Sequence, residues 1–155
     1  MVLQIYTDGS FWESCGGWAA VFVAKKDNHQ VVKFIGGWED YTTNNRMEIL
    51  PMIKLLETLQ KSRVSFTSIN VYSDSQYTIN TINGWLDKWI RKNDTSNKKN
   101  MDLWLRFYQL RQECKYQVRY HWVKGHNGNY FNEMADKLAG EARRNKLTTG
   151  RLTEC

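Results

Sequence analysis

Four carboxylates stand at comparable places in this chain. Asp8 follows the apolar run Val2–Tyr6, Glu48 lies in the first turns of a helical pattern, Asp74 follows a second apolar run, and Asp136 falls in the last helical segment. Carboxylates brought together repel one another, so a proton is retained at one of them unless a divalent cation neutralises the group. Ligand sets made only of oxygen select hard cations such as Mg²⁺ or Mn²⁺. Two such ions, about 3.5–4 Å apart, hold an attacking hydroxide and a leaving oxygen in one phosphoryl displacement. Each acid also has a simpler reading. Asp8-Gly9 is ordinary turn chemistry, and the chain has 16 acids from which a chance grouping can be drawn.

The elements that must position these acids can be read from periodicity. Val2–Tyr6 is β-branched and aromatic and reads as a central strand ending at Asp8. Trp18–Ala24 and Val31–Gly37 read as two more strands, joined by a short polar link into an antiparallel meander. The period then changes. Thr43 is placed to cap a helix carrying Met47, Leu50, Ile53, Leu56 and Leu59, with the only proline, Pro51, inside it. Proline in a helix interior removes a donor and costs about 3 kcal/mol, so the expectation is either a kink close after Glu48 or a helix that tolerates strain there for a local reason.

Ser68–Ser73 is a fourth strand, and Asp74-Ser75 caps a short helix from Gln76 to about Asn83, closed by Gly84. A separate helix is predicted over Trp85–Lys92, a longer one over Met101–Cys114, a fifth strand over Tyr116–Val123, and a last helix over about Phe131–Arg144. Strands followed by alternating helices and strands imply a mixed sheet flanked by helices. If the first and fourth strands are parallel neighbours, their carboxyl ends bring Asp8 and Asp74 together, where open α/β sheets place ligands. One domain over residues 1–147 and a fraying tail over residues 148–155 are expected.

Composition narrows the class of partner. The 155 residues carry a formal charge of +6, with 41% hydrophobic and 25% charged residues, as in a globular chain with a polyanionic partner. The three cysteines, Cys15, Cys114 and Cys155, are odd in number and have no CxxC spacing. That pattern favours a reducing compartment over a disulfide framework or zinc site. No apolar run approaches membrane-spanning length and no leader is visible, so a cytoplasmic monomer with no membrane association is expected.

The local sequences add a resemblance. Thr7-Asp8-Gly9-Ser10, Thr42-Thr43-Asn44-Asn45-Arg46-Met47-Glu48, Tyr72-Ser73-Asp74-Ser75-Gln76-Tyr77 and Trp122-Val123-Lys124-Gly125-His126, then Asn132-Glu133 and Asp136, occur in one order. Together they resemble ribonuclease H of the type 1 cellular family, from Val2 to about Arg144. The resemblance implies the α/β fold of that family: a five-stranded mixed sheet in the order 3-2-1-4-5, strands 1–3 antiparallel, strands 4 and 5 parallel to strand 1. It implies endonucleolytic hydrolysis of the RNA strand of RNA–DNA hybrids, leaving 5′-phosphate and 3′-hydroxyl ends. Asp8, Glu48, Asp74 and Asp136 match the metal-binding catalytic acids, served by two Mg²⁺ ions for which Mn²⁺ can substitute. His126, between Gly125 and Asn127-Gly128, matches a mobile histidine that assists proton transfer or product release.

A hybrid nuclease must sense 2′-hydroxyls on one strand only. Short amides can do so, and Asn44, Asn45 and Gln76 match family positions that contact nucleic acid, with Thr43 in a phosphate pocket. Helix capping is the competing reading for Thr43 and Asn44. Residues 85–100 place Trp85 and Trp89 on one helix face among Lys88, Lys92, Lys98 and Lys99, a combination suited to a phosphate backbone. Three departures from the family stand out. The turn after Asp8 lacks the Pro/Gly-rich form, Tyr41 replaces a basic residue, and Lys88 replaces asparagine. Two rival readings are a hybrid-binding module without turnover and another nuclease of the same fold, such as a resolvase or integrase core. Retention of all four acids argues against the first, and the amides with the basic segment argue against the second.

Overall fold

The computed structural model describes residues 1–125 and 128–152. Strands β1 (Val2–Trp12), β2 (Cys15–Lys26) and β3 (His29–Glu39) form the expected antiparallel meander. β4 (Ser68–Ser73) pairs parallel with β1, and β5 (Val118–Trp122) pairs parallel with β4, in the order β3-β2-β1-β4-β5.

β1 does not end at Asp8. It runs on to Trp12, with Asp8 opposite Ala19 and Ser10 opposite Gly17 on β2. What ends is the pairing with β4, whose last partner on β1 is Tyr6. Asp8 therefore sits at the mouth of a fork between two strands that part company. The turn lies further on, at Glu13 and Ser14, which both take positive φ, 46° and 68°. Pairing with β2 overrides the turn propensity of Asp8-Gly9.

Helix α1 (Asn44–Gln60) is capped as predicted, by Thr43 Oγ1 accepting from Arg46 N at 3.2 Å. Pro51 lies inside it without ending it. The predicted break at Gly84 is absent. Helix α2 (Gln76–Asn80) continues through one π-helical turn (Thr81–Trp85) into α3 (Leu86–Arg91). Side chains reach backbone carbonyls in and just before this widened turn. Arg111 donates to the Ile82 carbonyl at 3.0 Å, and Thr81 Oγ1 donates to the Tyr77 carbonyl at 2.7 Å. α4 (Met101–Glu113) and α5 (Tyr130–Asn145) complete the fold.

The sheet separates two apolar layers. Leu3, Ile5, Ile69 and Val71 face α1, α2 and α4 with Met52, Leu56 and Phe107, and Tyr6, Val21 and Val23 face α5 with Leu138 and Ala142. The alternation along β1 is what lets one strand serve both layers. It also sends Asp8 and Ser10 to the α5 side with Tyr6.

Residues 148–152, expected to fray, are packed as far as Leu152. Thr149 Oγ1 exchanges hydrogen bonds with both backbone groups of Gly36, each 3.1 Å, and Leu152 is buried above that glycine. A Cβ on Gly36 would lie 2.4 Å from Leu152 Cδ1. Cys15 and Cys114 are free thiols.

Candidate active site

Three of the four acids meet at the fork. One carboxylate oxygen each from Asp8, Glu48 and Asp74 lie within 4.8 Å of one another. Asp136 completes the group from α5, close enough to Asp8 for their carboxyls to hydrogen-bond and repel. Residues 40, 66 and 128 positions from Asp8 thus come to one cleft, which Asn132 and Glu133 of α5 also line.

Each placement has a local cause. β4 ends one residue before Asp74, and Ser75 turns the chain into α2 by accepting from Thr78 N at 3.2 Å. Trp122 Nε1 donates to the Asp74 carbonyl at 3.0 Å, and Val123 N to the Ser73 carbonyl at 2.9 Å, so the end of β5 clamps this turn. Gly125 is pressed against it: an added Cβ would lie 2.8 Å from Asp74 Oδ2. Glu48 reaches the cleft because α1 crosses β1 at Gly9.

The electrostatics favour a cation. Burial, then the charges of Asp74 and Asp136, push the Asp8 carboxyl up to about 8, against the Gly9 N–H that donates to its Oδ1 at 2.8 Å. Burial first, then Asp8 and Asp74, hold Glu48 well above the usual carboxylate range. Glu48 is only 7% exposed, and its Oε1 is buried without a hydrogen-bond partner among the described residues. A buried glutamate with one oxygen unpartnered, whose carboxylate also groups with those of Asp8 and Asp74, is costly as it stands and fits a hard divalent ion well.

None of the residues predicted to contact nucleic acid lines this cleft. Asn44 and Asn45 are exposed at the start of α1, and Gln76 is exposed at the start of α2, two residues beyond Asp74. Thr43 is the cap itself, as its competing reading had it. Arg46 anchors the start of α1 to α4 through a forked pair with Asp102, at 2.9 and 2.7 Å. Further out, Trp85, Lys88, Trp89, Lys92 and Lys98 line one surface depression. Its two indoles are 6.5 Å apart, and Lys98 Nζ lies 5.2 Å from the Trp89 ring centre. Lys99 is exposed beside it but does not line it. His126 lies outside the described residues.

A mixed sheet in this order, with carboxylates gathered where its central strands fork, defines a metal-dependent phosphodiesterase. Comparison with known proteins carries this to a family. The family model described as RNase H matches residues 2–144. A ribonuclease H of Orientia tsutsugamushi is 46% identical over 143 residues, 88% of this chain and 79% of that protein. The chain belongs to the ribonuclease H family, a family of metal-dependent hydrolases. Among solved structures, LC9-RNase H1, described as a type 1 RNase H with the type 2 active-site motif, superposes with a TM-score of 0.85 at 23% identity. That match covers 99% of this chain and 77% of the other. LC11-RNase H1 in complex with an RNA/DNA hybrid superposes with a TM-score of 0.66 at 20% identity, covering 92% and 97%.

Asn132, Glu133 and Trp122 belong to the surroundings of the acids although sequence reasoning gave them no role. Helical spacing from Asp136 puts Asn132 and Glu133 within reach of the same face, which was the available signal.

Proposed function

We propose that this chain hydrolyses the RNA strand of RNA–DNA hybrids, acting as an endonuclease that leaves 5′-phosphate and 3′-hydroxyl ends. The observation that carries the reading is the meeting of Asp8, Glu48 and Asp74 carboxylate oxygens within 4.8 Å of one another in the fork of β1 and β4, with Glu48 buried. Asp8, Glu48, Asp74 and Asp136 would hold Mg²⁺, with Mn²⁺ as a substitute and two ions in the substrate complex. Bound there, the cations supply a nucleophilic water at neutral pH and stabilise charge on the attacking and leaving oxygens.

The remaining work falls to the chain's own groups. Asn44, Asn45 and Gln76 present amides beside the acids, able to donate to and accept from the 2′-hydroxyls of an RNA strand lying over the cleft. The cap at Thr43 and the Arg46–Asp102 pair fix the start of α1, so the two asparagines approach the substrate from a rigid base. Trp85, Trp89 and the lysines around them form a positively charged shelf for the DNA strand's sugars and phosphates. His126, flanked in sequence by Gly125 and Asn127-Gly128, would move a proton to or from the departing oxygen or help release product. The protein acts as a cytoplasmic monomer. Among the described residues no helix is long and apolar enough to cross a membrane.

The test is incubation of end-labelled RNA–DNA hybrid, RNA duplex and DNA duplex with Mg²⁺, using the parent and the Asp8→Asn and Asp74→Asn variants. Only the RNA of the hybrid should be cut, and each variant should lose two or more orders of magnitude in rate. Equal cleavage of the duplexes, or variants as active as the parent, would overturn the reading.

A further inference from the structure

β1 and α5 face each other through two successive rungs, of which the acids use one. The first is Asp8 beside Asp136. Ser10 is the next residue of β1 on the same face, about 6.8 Å further along the strand. Arg143 follows Asp136 by seven residues, which returns it to nearly the same face of the helix. These two form the second rung: Arg143 Nε donates to Ser10 Oγ at 2.8 Å.

The second rung is built in by close backbone approach. Gly17 is the β2 partner of Ser10, and a Cβ there would lie 2.2 Å from the Ala139 carbonyl oxygen and 2.6 Å from Arg143 N. Only glycine lets α5 sit this near to the sheet. The hairpin tip is tied to the same point, with Cys15 Sγ directed at the Arg143 carbonyl at 3.8 Å. Arg143 is half-buried, and its tether uses Nε alone. No ion pair is formed by Arg143 or its neighbour Arg144 among the described residues. Arg144 bends back over Gly140, one turn from Asp136, where an added Cβ would meet its Nη1 at 2.7 Å. Two guanidinium groups therefore lie along the stripe of α5 that begins at Asp136.

Basic residues in the last turn of a helix complement its dipole, and that alone would account for their presence. It does not account for a serine tether that turns Arg143 across to the catalytic strand. A planar guanidinium held at Nε keeps its outer N–H groups for an acceptor, and a phosphate accepts them as a fork. One step along β1 from the metal-binding acids is on the order of one nucleotide along a bound strand.

We propose that Arg143, oriented by Ser10, is a phosphate-binding residue for the strand being cut. It grips a phosphate next to the scissile one on the side of the β1–β2 turn, and Arg144 adds charge alongside. The proposal rests on the reading that a hybrid's RNA strand lies over the four acids. It supplies an RNA contact just where the turn after Asp8 departs from the family form.

The experiment compares the parent with Arg143→Ala, Arg143→Lys and Ser10→Ala on a hybrid of uniform length in Mg²⁺. Arg143→Ala should raise KM several-fold with kcat nearly unchanged, the mark of lost uniform binding. It should also lower the slope of log affinity against log salt by about one. Arg143→Lys should keep the slope with a smaller rise in KM, and Ser10→Ala should shift KM in the same direction by less. A second arm measures affinity in the Asp8→Asn background for hybrids with one neutral methylphosphonate at successive RNA positions. One position beside the scissile phosphate should weaken the Arg143 protein and leave Arg143→Ala indifferent. Equal sensitivity of both proteins at every position, or a loss that follows melting temperature alone, would overturn the site. Failure of the parent to cut hybrid at all would instead indict the proposed function.

Discussion

The carbonyl of Met47 occupies the space that a side chain on Gly9 would need. A Cβ there would lie 2.7 Å from Met47 O and 2.9 Å from Glu48 Oε1. The absence of one methyl thus sets how closely α1 crosses β1, and hence how near Glu48 comes to Asp8. Gly9→Ala must push the helix outward. It should cost about 1–3 kcal/mol of stability, as overpacking does. Cleavage should fall by more than tenfold because Glu48 moves off the shared cation site. Thermal melting together with single-turnover rates checks both halves.

Pro51 bears on the same carbonyl. Having no N–H, it leaves Met47 O without its usual partner four residues on, and that oxygen faces Gly9 instead of closing a turn. α1 nonetheless runs unbroken, since its apolar face is buried from Met47 to Leu59. Pro51→Ala should restore the hydrogen bond and raise stability by about 1–3 kcal/mol. Turnover should be unchanged, because Gly9, not Pro51, holds the helix to the strand. The denaturant midpoint measures the gain.

The acid cluster makes stability depend on pH in a defined direction. Asp8, with a carboxyl held at about 8, and Glu48, also raised, keep protons in the folded protein that an unfolded chain has already lost. The folded state binds more protons from the ordinary carboxylate value, near 3.8, up to about 8. Stability without metal must therefore fall as pH rises through that window. Melting in EDTA should drop progressively from pH 5 to pH 8, and added Mg²⁺ should restore it by binding the folded state. Glu48→Gln removes one of the buried charges. It should melt higher than the parent in EDTA at pH 8, respond less to Mg²⁺, and cut hybrid far more slowly. A flat profile in EDTA would mean the acids are solvated rather than crowded.

The acids were legible because each lies in a distinctive local sequence, and the strand order followed from the family those sequences resemble. Legibility failed where a distant partner outweighed a local preference. Asp8-Gly9 carries turn chemistry, yet the chain stays extended to Trp12 because β2 pairs with it throughout. The actual turn uses Glu13 and Ser14 at positive φ, neither of them a residue that advertises such a turn. Gly84 looks like a helix stop, but Arg111 and Asn83 bind the widened turn to α4 and β5, and the helix passes through. Residues 148–152 look like a tail because the groups that hold them, Gly36 on β3 among them, are over a hundred positions away. The rung between Ser10 and Arg143 needs two periodicities at once, two along the strand and seven along the helix. No motif announces it.

The shelf formed by α3 and the loop after it should control affinity without touching chemistry. Lys88, Lys92 and Lys98 line it with Trp85 and Trp89, well outside the acid cleft. Lys98 is already engaged, by Asp94 at 3.5 Å and by the Trp89 ring. That pair is half-exposed and contributes at most about 1 kcal/mol to the fold, so losing it should barely move the melting temperature. Its value lies in phosphate neutralisation. Replacing all three lysines by alanine should weaken hybrid binding strongly at low salt and reduce the salt slope by about three counterions' worth. Rates at saturating hybrid should stay within about twofold of the parent, since the lost contacts act on substrate and transition state alike. Filter binding across a salt series, paired with saturating turnover, separates the two effects. A collapse in saturating turnover with an unchanged salt slope would mean that the shelf supports the fold rather than the substrate.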